Sequence, residues 1–265
     1  MRVLIIIPAF NEQTALGGLL AEIRALAPGV AELTTVVVDD GSSDRTAAVA
    51  REGGARVLEL CGNLGIGGAV QSGLRLAARE GFDYAIQVDG DGQHPPSELA
   101  RLLEAAATTP PPDLLVGTRY RHKSGERPTR SSAEGGAEID DKANFRSTVL
   151  RRLGSWWLKV VLRVVARVRI SDPTSGFRLY GPRALHLFDQ TYPYDYPEPE
   201  SLAIARANGL VLAEVAVTMR ERQGGTSSIA GLFTLYYMFK VTLAIVLSYI
   251  RARGGDRGGD HAASG

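Results

Sequence analysis

The strongest constraint on the fold is a unit repeated near the N-terminus: a short aliphatic run stops at a turn and an amphipathic stretch follows. Residues 3–7 are one valine, one leucine and three isoleucines, closed by Pro8. The run is too short for a helix and apolar at every position, the pattern of a strand buried on both faces of a parallel sheet. Leu16, Leu19, Leu20, Ile23 and Leu26 recur at spacings of three and four, which puts them on one face of a helix beginning after Asn11 and Glu12. Residues 34–38 repeat the strand pattern, a second helix starts near Ser43 and Asp44, and residues 56–60 give a third strand. A helix over 67–80 and a strand over 84–88 follow. Such alternation implies an α/β fold with a Rossmann-like, mostly parallel sheet flanked by helices and right-handed crossovers. Its ligand site belongs at the carboxyl ends of the strands.

Two acidic clusters fall at those ends. Asp39, Asp40, Ser42 and Asp44 follow the second strand, where carboxylates can accept hydrogen bonds from a base or ribose, although Ser43 or Asp44 also suits a helix cap. Asp89-Gly90-Asp91 follows the fourth, with flanking glycines that permit a tight turn. Two carboxylates so placed invite a hard cation, Mg²⁺ or Mn²⁺, whose other ligands are phosphates; the plainer alternative is an acidic turn capping the next helix. Pro8 to Glu12 end the first strand at the same edge, and Glu12 either meets a nucleotide or favours the helix dipole. Asn63 to Gly68 resemble a phosphate-cradling loop, but their spacing matches neither the P-loop nor the dinucleotide fingerprint. The first strand also lacks the glycine-rich turn of a nicotinamide-dependent oxidoreductase.

Beyond residues 114–117, a fifth aliphatic run, the chain changes character. Residues 121–143 read as a mobile polar loop. Residues 144–170 hold seven basic side chains (Arg146, Arg151, Arg152, Lys159, Arg163, Arg167 and Arg169), no acidic one, and both tryptophans. Arg152, Lys159, Arg163 and Arg167 recur at helical spacing, so this is a basic amphipathic helix, suited either to an anionic membrane surface or to an ordinary solvated face. Residues 230–250 form an apolar helix interrupted by Lys240, and residues 251–265 read as a disordered tail. A formal net charge of +1 says little, because it hides the basic imbalance of residues 144–170, and no nucleic-acid partner is expected. The start of the chain lacks a signal-peptide pattern, pointing to the cytoplasm, and the lone Cys61 reads as a small buried hydrophobe.

In order and spacing, Pro8-Ala9-Phe10-Asn11-Glu12, Val37-Val38-Asp39-Asp40-Gly41-Ser42-Ser43-Asp44, Asn63-Leu64-Gly65 and Asp89-Gly90-Asp91-Gly92-Gln93-His94-Pro95-Pro96 resemble the family 2 glycosyltransferases. Within them the likeness is to the dolichyl- and polyprenyl-phosphate sugar synthases. It extends through Asp172-Pro173-Thr174-Ser175-Gly176-Phe177-Arg178 and ends near Arg220 to Ser227. The resemblance implies a GT-A catalytic domain over 1–229, a nucleotide-diphosphate sugar (UDP ahead of GDP or dTDP), a divalent metal and inversion at the anomeric carbon. It implies that Pro8, Asn11, Glu12, Asp39, Asp40, Asn63, Gly68, Asp89 and Gly90 meet the nucleotide sugar, and that Asp89, Asp91 and Gln93 surround Mg²⁺ or Mn²⁺. Asp172, Ser175, Arg178 and Arg220 fall on the acceptor side, with Arg220 and Arg222 matching basic residues that clamp phosphates on loop closure. Tyr196-Pro197-Glu198-Pro199-Glu200 carries the carboxylate that a hydroxyl acceptor needs as base and an ionised phosphate does not. Glu200 aligns as a positioning residue, and Glu198 stays open as a base. The implied activity is hexosyl transfer to a polyprenyl phosphate on the cytoplasmic membrane face. Transfer to a hydroxyl of a cell-wall or surface glycan and a non-catalytic nucleotide-sugar-binding protein are the alternatives. The apolar helix has the membrane, a small membrane protein or a second copy as candidate partners.

Overall fold

A computed structural model of the chain describes residues 1–26, 31–119, 149–220 and 233–255. Seven strands, β1 (Arg2–Ala9), β2 (Glu32–Asp39), β3 (Arg56–Glu59), β4 (Tyr84–Gln87), β5 (Leu114–Thr118), β6 (Arg178–Tyr180) and β7 (Leu212–Ala216), form one sheet in the order β3-β2-β1-β4-β6-β5-β7. All neighbours pair in parallel except β6, which runs antiparallel to both β4 and β5.

The unbroken apolar character of β1 follows from what covers it. Leu4 and Ile6 face one layer with Ala69, Val70 and Leu74 of α3 (Gly65–Arg79), while Ile5 and Ile7 face the other with Leu16, Leu20 and Ile23 of α1 (Gln13–Arg24). Both faces are dry, so alternation in the sequence gives way to a continuous run. Leu99 and Leu102 of α4 (Leu99–Ala106) join the α1 side. The α3 side is completed by α5 (Val149–Val165), α6 (Pro182–Gln190), α7 (Pro197–Ala207) and α8 (Phe233–Gly255). The short α2 (Thr46–Glu52) follows β2.

Several sequence expectations change. The basic helix of residues 144–170 ends at Val165, because Arg167 takes a φ of 54° and the Val168 N–H returns to the Leu162 carbonyl at 3.1 Å, a left-handed cap that removes Arg167 from the helical stripe. Residues 251–255 belong to α8 and not to a tail. Cys61 is exposed, since it follows β3 at the sheet edge, where no layer covers it. The loop of residues 121–143, the start of the basic helix before Val149 and the tail beyond Gly255 lie outside the described residues.

The glycines after Asn63 open α3, where they serve packing. An ideal Cβ on Gly67 would stand 2.4 Å from the Pro193 carbonyl oxygen and 2.7 Å from Tyr194 Cα, so the segment between α6 and α7 rests directly on the helix backbone. Because the obstruction is main chain, it cannot rotate away. Gly67→Ala is expected to cost about 1–3 kcal/mol, read as a lower urea midpoint at unchanged slope.

Candidate active site

The carboxyl ends of β1 and β2 lie level, with Ala9 opposite Asp39, and β4 leaves the sheet three residues earlier, with Gln87 opposite Ile6. The reversed β6 starts at this same edge, pairing Arg178 with Gln87, and so delivers residues 172–177 beside the β4 exit. A cavity of about 330 Å³ opens there. Its walls include Pro8, Phe10 and Ile66 and five carboxylates, Glu12, Asp40, Asp89, Asp91 and Glu198; no lysine, arginine or histidine is among the described lining residues. The volume suits part of a nucleotide or sugar.

The first two turns are stapled together. Asn11 sits at φ 57°, a left-handed conformation that asparagine tolerates, and its Oδ1 accepts the Ser43 N–H at 2.9 Å. In return the Asn11 N–H donates to Ser42 Oγ at 2.9 Å and the Glu12 N–H to Thr46 Oγ1 at 2.9 Å. Asp39 Oδ1 accepts the Ser42 N–H at 3.1 Å. Asp40 accepts the N–H groups of Leu64 and Gly65 at 2.7 and 2.9 Å, where α3 begins. The amides of the glycine segment are thus turned toward a carboxylate, Asn63 caps Gly65 at 3.0 Å, and Gly68 is buried within α3. In this conformation the amides at the start of α3 are taken up by protein oxygens and are not offered as an open cradle, while Asn63 stays exposed.

In the Asp89–Asp91 turn, Gly92 takes a φ of 75° and a Cβ on Gly90 would lie 3.2 Å from the Pro8 carbonyl oxygen. Asp91 is buried, with Oδ1 accepting the Gln93 N–H at 3.0 Å. Gln93 is held by both main-chain groups, since its carbonyl accepts the Arg220 N–H at 2.9 Å. No group of three or more His, Cys, Asp or Glu side chains suited to a metal occurs among the described residues. Two acceptor-only carboxylates on one cavity wall nevertheless fit an octahedral Mg²⁺ or Mn²⁺ that takes its remaining ligands from phosphate and water, the usual arrangement for such ions.

The Tyr196–Glu200 segment divides its two acids. Glu198, in the first turn of α7, lines the cavity; burial raises its carboxyl above the ordinary range, the Asp89 charge adds to that, and Arg178 opposes it. Glu200 points away: it accepts the Tyr196 N–H at 3.2 Å and the Ser248 hydroxyl of α8 at 2.7 Å, and burial raises its carboxyl too. Glu200, expected as a positioning residue, therefore bonds within the protein in this conformation, while Glu198, left open as a base, is the acid of the pair on the cavity wall.

The expected acceptor residues lie beneath the surface. Arg178 has no exposed area; its guanidinium donates to the carbonyls of Ser175, Pro173 and Glu198 at 2.8, 3.2 and 2.8 Å and to Ser201 Oγ at 2.7 Å. Asp172 is buried against Arg119 at 2.7 Å, and the buried Ser175 Oγ accepts the Phe177 N–H at 3.3 Å. All three brace the loop in this conformation and offer no surface to a ligand. Arg220 turns its guanidinium to Glu22 at 2.7 Å, away from the cavity, and Arg222 lies outside the described residues. The sequence reading missed Arg119 and the bonds from Ser171 to Thr118 and Glu214, which join β5, β7 and the acceptor loop. Nothing in their spacing marks them, since each belongs to a different element.

Residues 4–161 match Glycosyl transferase family 2. The undecaprenyl-phosphate mannosyltransferase of Micrococcus luteus is 31% identical over 240 residues, covering 87% of this chain and 88% of that protein. The polyprenol monophosphomannose synthase of Mycolicibacterium smegmatis is 30% identical over 250 residues, covering 91% and 85%. Among solved structures, glucosyl-3-phosphoglycerate synthase from Mycobacterium tuberculosis, in complex with Mn²⁺, UDP and glucosyl-3-phosphoglycerate, superposes with a TM-score of 0.64 at 18% identity, over 95% of this chain and 80% of that one, a likeness of fold. With the family matched across more than half its length and the carboxylate-lined edge in place, the chain belongs to glycosyl transferase family 2.

Proposed function

We propose that this glycosyltransferase moves a sugar from a nucleoside-diphosphate sugar to a polyprenyl phosphate at a membrane surface, inverting the anomeric carbon. The observation that carries the donor half is the cavity's charge: five carboxylates and no cationic side chain among its described walls. A diphosphate 4 Å from one carboxylate is repelled by about 4 kcal/mol per charge pair at an effective dielectric constant of 20, so it enters with a divalent cation. Asp89 and Asp91 would hold that cation, which neutralises charge on the departing diphosphate. A nucleotide beside Pro8, Glu12 and Asp40 puts its base and ribose at the β1 and β2 exits, and UDP is the first base to try, since glucosyl-3-phosphoglycerate synthase of the same fold holds UDP.

The acceptor half rests on a surface. Leu153, Trp156, Trp157 and Val164 of α5 and Phe239, Leu243, Leu247 and Ile250 of α8 are exposed, each set a stripe at helical spacing. Trp157 Nε1 donates to Thr242 Oγ1 at 2.8 Å, which joins the two stripes. Neither helix contains an aspartate or glutamate, and Arg163, Lys240, Arg251 and Arg253 are exposed on them. No helix among the described residues is long and apolar enough to cross a membrane. An apolar face ringed by cations suits peripheral seating on anionic lipid, at roughly 1 kcal/mol per basic residue. The names of the relatives above, which act on undecaprenyl phosphate or polyprenol, agree with such an acceptor.

Glu198 favours a second reading. A carboxyl on the cavity wall, raised above the ordinary glutamate value of 4.5, suits a general base for a glycan hydroxyl. Such a base works only when ionised, so the rate would fall as pH drops through its raised pKa, above 4.5.

Incubation with radiolabelled UDP-, GDP- and dTDP-sugars, polyprenyl phosphate and Mn²⁺ is expected to give label in the organic phase, abolished by Asp91→Ala; label in polymer or free sugar instead would replace the lipid acceptor with a glycan. Glu198→Gln is expected to keep the rate within about tenfold and to leave its acid limb unchanged, because a phosphate acceptor needs no base. A 10²–10⁴-fold loss would instead establish base catalysis. Sedimentation with phosphatidylglycerol vesicles at low salt is expected for the wild type and not for Trp156→Glu/Phe239→Glu, with binding weakened at 0.5 M NaCl as screening requires.

A further inference from the structure

His94 is almost fully buried at 3% exposure, one turn beyond the Asp89–Asp91 pair, and does not line the cavity. Its Nδ1 accepts the Asp89 main-chain N–H at 3.2 Å, and its ring stacks on Phe177 with centroids 5.0 Å apart and planes 22° from parallel. With Nδ1 accepting, the neutral ring carries its proton on Nε2. Phe177 belongs to the loop entering β6, so a single imidazole grips that loop with its face and the β4 exit with its edge.

Two other contacts converge on the same aspartate. A Cβ on Gly176 would stand 2.6 and 2.7 Å from the Asp89 carboxylate oxygens, so the carboxylate lies flat on the glycine. Gln87 Nε2 approaches Asp89 Oδ1 at 3.5 Å, while Gln87 Oε1 accepts the Tyr180 hydroxyl at 3.0 Å. Tyr180 in turn meets Tyr192 at 3.1 Å, and because Tyr180 donates to Gln87, Tyr192 donates to Tyr180. Burial raises both phenols, which keeps them neutral donors. The chain of donors therefore runs one way, toward Asp89.

We propose that His94 is a positioning residue for the metal-binding turn: by accepting the Asp89 N–H while stacked on Phe177, it sets the direction of the Asp89 carboxylate before any cation arrives. The proposal rests on Asp89 and Asp91 being the cation's ligands. Groups that orient metal ligands from behind typically contribute 10–100-fold to metal affinity. Their main-chain counterpart here is the Asp89 N–H, which fixes where the side chain leaves the backbone.

The test is Mn²⁺ binding to the full chain, measured from the free-ion paramagnetic resonance signal with UDP and with GDP present, alongside thermal unfolding. His94→Phe keeps the stack and removes the acceptor; His94→Asn keeps an acceptor oxygen at the Nδ1 place and removes most of the stack. The expected result is at least a tenfold rise in the Mn²⁺ dissociation constant for His94→Phe and less than a threefold rise for His94→Asn. Equal Mn²⁺ affinity in His94→Phe and wild type overturns the proposal, as do equal losses in both variants that track their unfolding temperatures. If His94→Phe does not fold, the asparagine variant decides: wild-type affinity supports the role and a tenfold loss overturns it. Asp91→Ala separates the levels. Wild-type protein that binds Mn²⁺ no better than Asp91→Ala, with either nucleotide, overturns the metal-site reading and this proposal together.

Discussion

The contact between the Asp89 carboxylate and the bare Cα of Gly176 is the constraint from which the rest of the site follows. It exists because β6 runs against its neighbours: an antiparallel strand brings its entering loop to the edge where parallel strands leave, so residues 172–177 meet the β4 exit. Any side chain at 176 would overlap the carboxylate by more than van der Waals contact permits, which forces either the turn or the loop outward. The turn expected to hold a cation and the loop expected to face an acceptor are consequently one wall. Arg178 secures that wall from behind, and its buried charge is met by carbonyl dipoles of the loop and of the α7 N-terminus. Removing a group so engaged leaves several buried acceptors unpaired at once, and for that reason its role here is structural.

Gathering five carboxylates around one cavity is costly unless something answers their charge. The fold answers part of it with main-chain dipoles. Asp40 takes two N–H groups where α3 starts, the end of a helix that carries partial positive charge, and Asp91 takes one. Glu198 lies in the first turn of α7, yet its burial, with the neighbouring Asp89 adding, outweighs Arg178 and the helix end, and its carboxyl is raised. The site is thus prepared for a positive guest, and its own repulsion adds to the affinity for a divalent ion.

What the sequence made legible is what short-range pattern controls. The strands β1 to β5, the helices α1 to α3 and the placement of both acidic clusters follow from aliphatic runs, helical spacing and turn residues, each within about ten positions of the chain. The reversed β6 was not legible, because Arg178–Tyr180 is three residues long and its direction depends on which strands it joins. Arg178 shows the same limit: a charged residue in a motif reads as a ligand, and only its lack of exposed surface identifies it as a brace. Asn63, Gly67 and Gly68 read as a phosphate loop because glycine permits two uses, close approach to a ligand and close approach to protein, and here the partner is the Pro193–Tyr194 backbone. Glu198 and Glu200 could not be ranked from sequence, since they differ only in which side of α7 they occupy.

That last pair connects chemistry to surface. Glu198 faces the cavity and Glu200 reaches Ser248 on α8, so α7 alone separates the cavity from a helix whose outer stripe is Phe239, Leu243, Leu247 and Ile250. A helix with its side chains is about 10 Å across. On the proposed seating of α5 and α8 on a bilayer, α7 is the element between the lipid-facing helix and the cavity. The hydrogen bond from Ser248 ties α8 to the same helical turn that carries Glu198, so under the proposed seating the apolar face of α8 and the cavity would move as one unit. The same seating would take the exposed tryptophans and phenylalanine out of water, which is the physical reason for testing the acceptor in a lipid phase.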